Sequence, residues 1–200
     1  MTLLLLLCLL GALLELDTTY AFQLTFSRGI IAGPLLGLVS GDALTGLQVG
    51  IFTELLFIDV SPLGGMLPPS AAVCCAITMA LCSLQIPAYA AFFVGVVGAI
   101  VFAQVELAMR RARAGWIARQ EQKIRRNPSY LRHAVVEALS LGLMGNFLFI
   151  LAVCLGVGFP LAKVMLLVPE KLQLAGKFSY MAVPWIGLAT LLSTFRLKTR

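Results

Sequence analysis

Residues 28–70 read RGIIAGPLLGLVSGDALTGLQVGIFTELLFIDVSPLGGMLPPS. This stretch decides the fold. It is apolar enough to sit in a bilayer, yet it carries Asp42, Glu54 and Asp59, eight glycines, and Pro34, Pro62, Pro68 and Pro69. An ionisable group inside a membrane segment is costly and marks a functional site by default. Gly and Pro interrupt helices, and lipid tolerates non-helical backbone only where protein or a wet cavity covers it. Short, interrupted apolar segments with acids at mid-depth are the arrangement of transporter binding sites. A second reading stays open: ordinary hairpin turns between spans, with the acids at the water boundary.

Working outward, the whole chain is a membrane sequence. Of its 200 residues 60% are hydrophobic and 12% charged, with a mean hydropathy of +0.97; soluble domains carry about 25% charged residues. The length accommodates about six or seven spans of ~20 residues. The expected class is therefore an all-α membrane protein of six or seven hydrophobic helical segments, including a re-entrant or broken-helix pair, in one polytopic domain over residues 1–200. Within the pair, Ile30–Ser40 is 11 residues long, too short to cross ~30 Å of hydrocarbon as a helix. It stops at Gly41-Asp42, and Leu47–Val60 is short again. Three Pro and two Gly between Ser61 and Ser70 exclude regular helix there.

The flanks read more simply. Met1–Leu14 is almost pure Leu with no Lys or Arg before Arg28. It therefore lacks the charged start of a signal peptide and reads as a retained first helix ending near Glu15 and Asp17. Ala71–Ile86 and Ala88–Met109 are rich in small residues, which suits close helix packing. Arg110–Arg132 holds eight Lys or Arg against one acid, Glu121, and the positive-inside rule makes it a cytoplasmic loop. Its first part reads as helix whose charge serves topology first, with rest on an anionic membrane surface as the alternative. Ala134–Phe159 returns into the bilayer, Pro160–Lys177 lies beyond it, and Phe178–Phe195 is the last span. The basic end at Arg196, Lys198 and Arg200 places the C-terminus in the cytoplasm.

The net charge of +6 sits beside apolar segments and is no sign of nucleic acid. Five Cys lie in apolar runs without C-x-x-C spacing and read as fillers. His133 has no metal-type neighbour, so no metal or cofactor is expected. No nucleophile–base pair or phosphate loop is present either, and the chain is not expected to be an enzyme by itself.

Gly41, Asp42, Thr45, Gly46, Gly50 and Glu54 spell G-D-x-x-T-G-(x)3-G with Glu close behind. They follow Arg28 and its apolar run and precede a Gly/Pro-rich loop with Gly64 and Pro69. In this the chain resembles the membrane-embedded enzyme IIC subunit of the mannose/sorbose-type sugar phosphotransferase system. Val168–Thr194, with Pro169-Glu170 and Ala175-Gly176, is similar in pattern. The resemblance implies a permease component of the bacterial inner membrane, acting with a IID membrane subunit in an oligomer. Cytoplasmic IIA and IIB proteins would supply phosphate that originates in phosphoenolpyruvate. Pro62 stands where the family tends to have Asn, Ser70 where it tends to have Asp, and family members usually run on past this C-terminus. These departures keep an alternative open: a shortened, non-transporting homologue acting as a scaffold or regulatory membrane component.

For a sugar, the expected contacts are Glu54, Asp59 and Gln48, since a carboxylate accepts two hydroxyls at once. On a helix Glu54 and Asp59 do not stack, so the break near Ser61 has to bring them together. A salt bridge from Glu54 to Arg28, pinning the broken pair, is the structural alternative. Asp42 is expected to cap the helix that begins near Leu44. Arg28, Thr45, Gly41, Gly46, Gly50, Gly64 and Pro69 are expected to shape or gate the site.

Overall fold

The computed structural model describes residues 1–19, 24–58, 60, 67–127 and 130–198. Among these, seven α-helices follow one another with no strand: α1 (Thr2–Thr19), α2 (Gly29–Ser40), α3 (Ala43–Phe57), α4 (Ala71–Cys82), α5 (Ala88–Arg126), α6 (Leu131–Leu167) and α7 (Glu170–Lys198). Two stretches, Ala88–Ile117 and Leu131–Leu167, are long and apolar enough to cross a membrane by themselves.

α4 is the centre. Every residue from Ala72 to Leu81 is buried, and the helix touches α1, α2, α3, α5 and α6. Its small side chains permit this, as membrane helices that pack on several sides require. α1 shows the complementary pattern: Leu4, Leu7, Cys8 and Ala12 are buried while Leu5, Leu6, Leu9 and Leu13 are exposed. Both faces are apolar, one for protein and one for lipid. Phe52 of α3, Phe92 of α5 and Tyr180 of α7 form an aromatic cluster, with Tyr180 4.8 Å from Phe52 and 5.3 Å from Phe92 between ring centroids.

α2 and α3 make the short pair. At 12 and 15 residues they reach about 18 and 22 Å, short of the ~30 Å hydrocarbon core. Gly41 turns the chain at φ 83°, a conformation glycine adopts freely. Its N–H and that of Asp42 close the end of α2 on the carbonyls of Leu38 and Gly37, at 3.3 and 2.9 Å. The next helix starts at once at Ala43, one residue before the expected Leu44.

The glycines of this pair do not loosen it. Gly29, Gly33 and Gly37 on α2 face Gly50 and Gly46 on α3 so closely that a Cβ on Gly46 would lie 2.5 Å from the carbonyl oxygen of Gly33. Their spacing of four residues stacks them on one face of each helix. Pro34 sits inside α2.

Several expected boundaries move outward. α5 continues through the basic stretch to Arg126, because Arg, Lys and Gln are good helix formers and no proline intervenes. α6 runs through Pro160 to Leu167. In apolar surroundings water is not available to replace lost backbone bonds, so continuing past a proline leaves fewer groups unsatisfied than stopping. α7 begins at Glu170, well before Phe178, with the Pro169 carbonyl accepting from Leu172 N and Gln173 N at 2.9 and 3.1 Å.

Candidate functional site

A cavity of 510 Å³ opens where five segments converge. Glu15 and Thr18 come from the end of α1, Ser27 and Arg28 from the entry to α2, and Glu54 and Phe57 from the last turn of α3. The Pro68-Pro69-Ser70 approach to α4 and Phe102, Glu106 and Arg110 of α5 line it from the other side, with smaller apolar contributions between them. The size falls within the ~300–1,000 Å³ of small-molecule sites. Three carboxylates, two guanidinium groups and two phenyl rings share this one hollow.

Glu54 joins the short pair at its open end. One carboxylate oxygen accepts from Arg28 Nη1 at 2.5 Å and the other from the backbone N–H of Gly29 at 2.9 Å. Gly29 is the first residue of α2, and Arg28 gives that helix end no side-chain cap. Glu54 therefore caps a neighbouring helix, and the exposed N–H groups and dipole there favour its negative charge. The side chain of Glu54 is 24% exposed and that of Arg28 65%.

The other two acids came from outside the expected set. Glu15 is 6% exposed, accepts from the Thr18 hydroxyl at 3.1 Å and from the Ser70 hydroxyl. Ser70 in turn accepts from Val73 N at 3.2 Å and so caps α4. An Asp at position 70 would face Glu15 with a second negative charge; the serine offers a donor there. Glu106, 5% exposed, accepts from Arg110 at 2.9 Å and Arg113 at 2.7 Å. The sequence does carry the sign of this second group, an acid in an apolar window with Arg four and seven residues on, on the same helix face. Glu15 is signalled only as an acid ending a Leu-rich helix, and nothing local pairs it with Ser70, 55 residues away.

The expected residues separate. Glu54, Arg28 and Pro69 line the cavity. Gln48 does not: it is exposed on α3, because six residues along a helix turn the side chain about 120° away from Glu54. Asp59 and Gly64, like Pro62, lie outside the described residues. Gly46 and Gly50 are buried in the α2–α3 seam.

Asp42 is exposed at the tip of the pair and caps α3, accepting from Thr45 N at 3.0 Å and from the Thr45 hydroxyl at 2.6 Å. Asp42→Ala is expected to lower stability by about 0.5–2 kcal/mol, and Asp42→Asn by much less. Thermal melting of the purified chain in detergent checks this; equal melting of Ala and wild type would remove the cap from the account.

A family model described as the PTS system sorbose-specific IIC component matches residues 1–199. Over 43 residues the chain is 44% identical to a protein of Escherichia coli (strain K12) provisionally named N-acetylgalactosamine permease IIC component 2. That stretch is 22% of this chain and spans 32% of the relative's length. A solved structure titled "Structure of membrane protein" superposes with a TM-score of 0.74 at 22% identity, covering 98% of this chain and 80% of its own. This likeness concerns the fold.

Proposed function

Because the chain belongs to the family of PTS system sorbose-specific IIC components, we propose that it is the sugar-conducting membrane subunit of a phosphoenolpyruvate-dependent uptake system. It works with a IID-type membrane subunit in an oligomer, and cytoplasmic IIA and IIB proteins deliver the phosphate. The basic stretch 110–132 and the C-terminal end lie in the cytoplasm of a bacterial inner membrane, as the positive-inside rule requires.

The observation that carries this reading is the cavity at the open end of the α2–α3 pair, with Glu54 in its wall. Glu54 accepts two sugar hydroxyls when the exposed Arg28 guanidinium swings aside, and Phe57 or Phe102 covers an apolar ring face. Glu15 has both oxygens engaged by Ser70 and Thr18, and two arginines, Arg110 and Arg113, hold one oxygen of Glu106, so these acids keep the shape of the polar wall while Glu54 exchanges partners. An amphipathic lining of this kind suits a hexose, and the name of the E. coli relative makes N-acetylated hexosamines the first substrates to try.

The scaffold alternative drew on Ser70 in place of an acid. That argument weakens, since Ser70 lines the cavity and both caps α4 and supplies Glu15 with a hydrogen bond. Reconstitution in vesicles with IID, IIA and IIB partners, followed by phosphoenolpyruvate-dependent phosphorylation of external sugar, decides between them. Phosphorylation that requires this chain is the expected result. A fully assembled complex inactive on every hexose and hexosamine offered would leave the scaffold role.

A further inference from the structure

Beyond the contacts of Phe102 with Phe149, 5.1 Å between ring centroids, and of Met109 with Gly145, α5 and α6 part. Two adjoining hollows of 560 and 260 Å³ lie between them and share Trp116 and Ala138, so they form one trough. Its walls are mostly apolar, with Gln120, the Glu121–Arg125 ion pair and Arg113 as the polar members. One polar group stands out: Gln120 is 7% exposed, and its Oε1 has no hydrogen-bond partner. A buried carbonyl without a donor is costly and calls for one.

Three facts restrict what fills the trough. It is long and apolar, which suits a hydrocarbon chain. It lies where α5 has passed from its apolar run, ending at Met109, into Arg110, Arg111 and Arg113, while the facing stretch of α6, Ala134–Gly142, is still largely apolar, which is headgroup depth for a pair of membrane helices. Cations also border it: Arg113, ion-paired with Glu106, lines the inner hollow, and Arg125, in an exposed and therefore weak ion pair with Glu121 of the same wall, lines the outer one, in a stretch, residues 110–132, that holds eight Lys or Arg against that one acid. Positive charge beside an apolar trough complements an anionic amphiphile.

We propose that this trough binds an anionic glycerophospholipid with a hydroxylated headgroup. The acyl chain lies along the Met109–Leu141 end, the phosphate meets Arg125, and a glycerol hydroxyl donates to Gln120 Oε1. The site is independent of whether the chain conducts sugar.

The chain has two tryptophans, Trp116 in the trough and Trp185 exposed on α7. Trp185→Phe leaves Trp116 as the single reporter. The full chain carrying this change is placed in phosphatidylcholine nanodiscs with a minor fraction of either phosphatidylglycerol or phosphatidylcholine brominated on the acyl chains. Brominated phosphatidylglycerol is expected to occupy the quenching site with about fivefold preference per cation engaged. Arg125→Gln, a change at an exposed residue, is expected to remove that factor. Gln120→Leu is expected to cut the preference as well, while raising the melting temperature of the lipid-free chain because the orphan carbonyl is gone. Equal quenching by the two lipids overturns the proposal, since only bulk lipid then reaches Trp116. Absence of quenching by either overturns it too, because protein, a second copy or another subunit, then covers the trough. A preference that survives both substitutions likewise overturns it.

Discussion

Glu54→Ala is expected to weaken sugar uptake by roughly tenfold to a hundredfold in apparent affinity, the equivalent of about 1.5–3 kcal/mol for one lost charge-assisted hydrogen bond. The carboxylate has one observed task and one proposed task, and the variants have to separate them. As a clasp it holds Arg28 and the Gly29 N–H; as the proposed ligand it would accept sugar hydroxyls. Glu54→Gln keeps one oxygen acceptor for Gly29 and removes the charge. It is expected to assemble with its partners and to lose most sugar-dependent phosphorylation. The reversed pair, Arg28→Glu with Glu54→Arg, restores a salt bridge and not the ligand. If the reversed pair transports like wild type in the reconstituted system, Glu54 is a clasp only and the sugar contact must be sought elsewhere in the cavity. Arg28→Gln supplies the third comparison: it frees the carboxylate and is expected to change affinity far less than Glu54→Ala.

The second large effect belongs to the α2–α3 seam. Gly46→Ala is expected to destabilise the chain by at least the ~1–3 kcal/mol of ordinary overpacking, and Gly46→Leu to prevent a stable fold. The added Cβ would meet Gly33 O and Gly37 Cα at 2.5 Å and Gly37 N at 2.9 Å. All three are backbone atoms of a helix, so no side chain is available to rotate away. The two helices must separate, and with them Glu54 must leave Gly29. Gly156→Ala is the control. Nothing lies within 4 Å of a Cβ at that position, so it is expected to gain up to ~1 kcal/mol of helix propensity. Thermal melting and size-exclusion profiles in detergent measure both. A Gly46→Ala chain that melts with the wild type would mean that the helices are not in contact at this seam.

Much of the fold was legible in the residues. A chain with 12% charge and 60% hydrophobic residues has to bury its backbone polar groups in helices, because lipid provides no partners for them. Gly41-Asp42 marked the turn, since glycine alone takes φ 83° without strain and an aspartate beside it caps the helix that follows. The pairing of Arg28 with Glu54 was visible as one of two alternatives, because a carboxylate in an apolar helix needs a counter-charge or a wet cavity.

Other features depended on neighbours in space. Gly33 and Gly46 read along the chain as weak points in two short helices; only the facing backbone shows that they are the contact surface. Pro160 reads as a stop, yet α6 carries on through it, because ending a helix in apolar surroundings leaves more backbone unsatisfied than bending one does.

Local composition, period and charge thus determined that this is an all-helical membrane chain, where it turns at Gly41-Asp42, and that Glu54 needs a counter-charge or a wet hollow. What tertiary structure alone decided is the site itself. Glu15, Ser70 and Glu106 join Glu54 around one cavity across 92 residues of chain, while Gln48, six residues from Glu54, turns away from it. Periodicity reports which face of a helix is apolar. It does not report which other helix arrives at that face, and a polar cavity between helices is made of those arrivals.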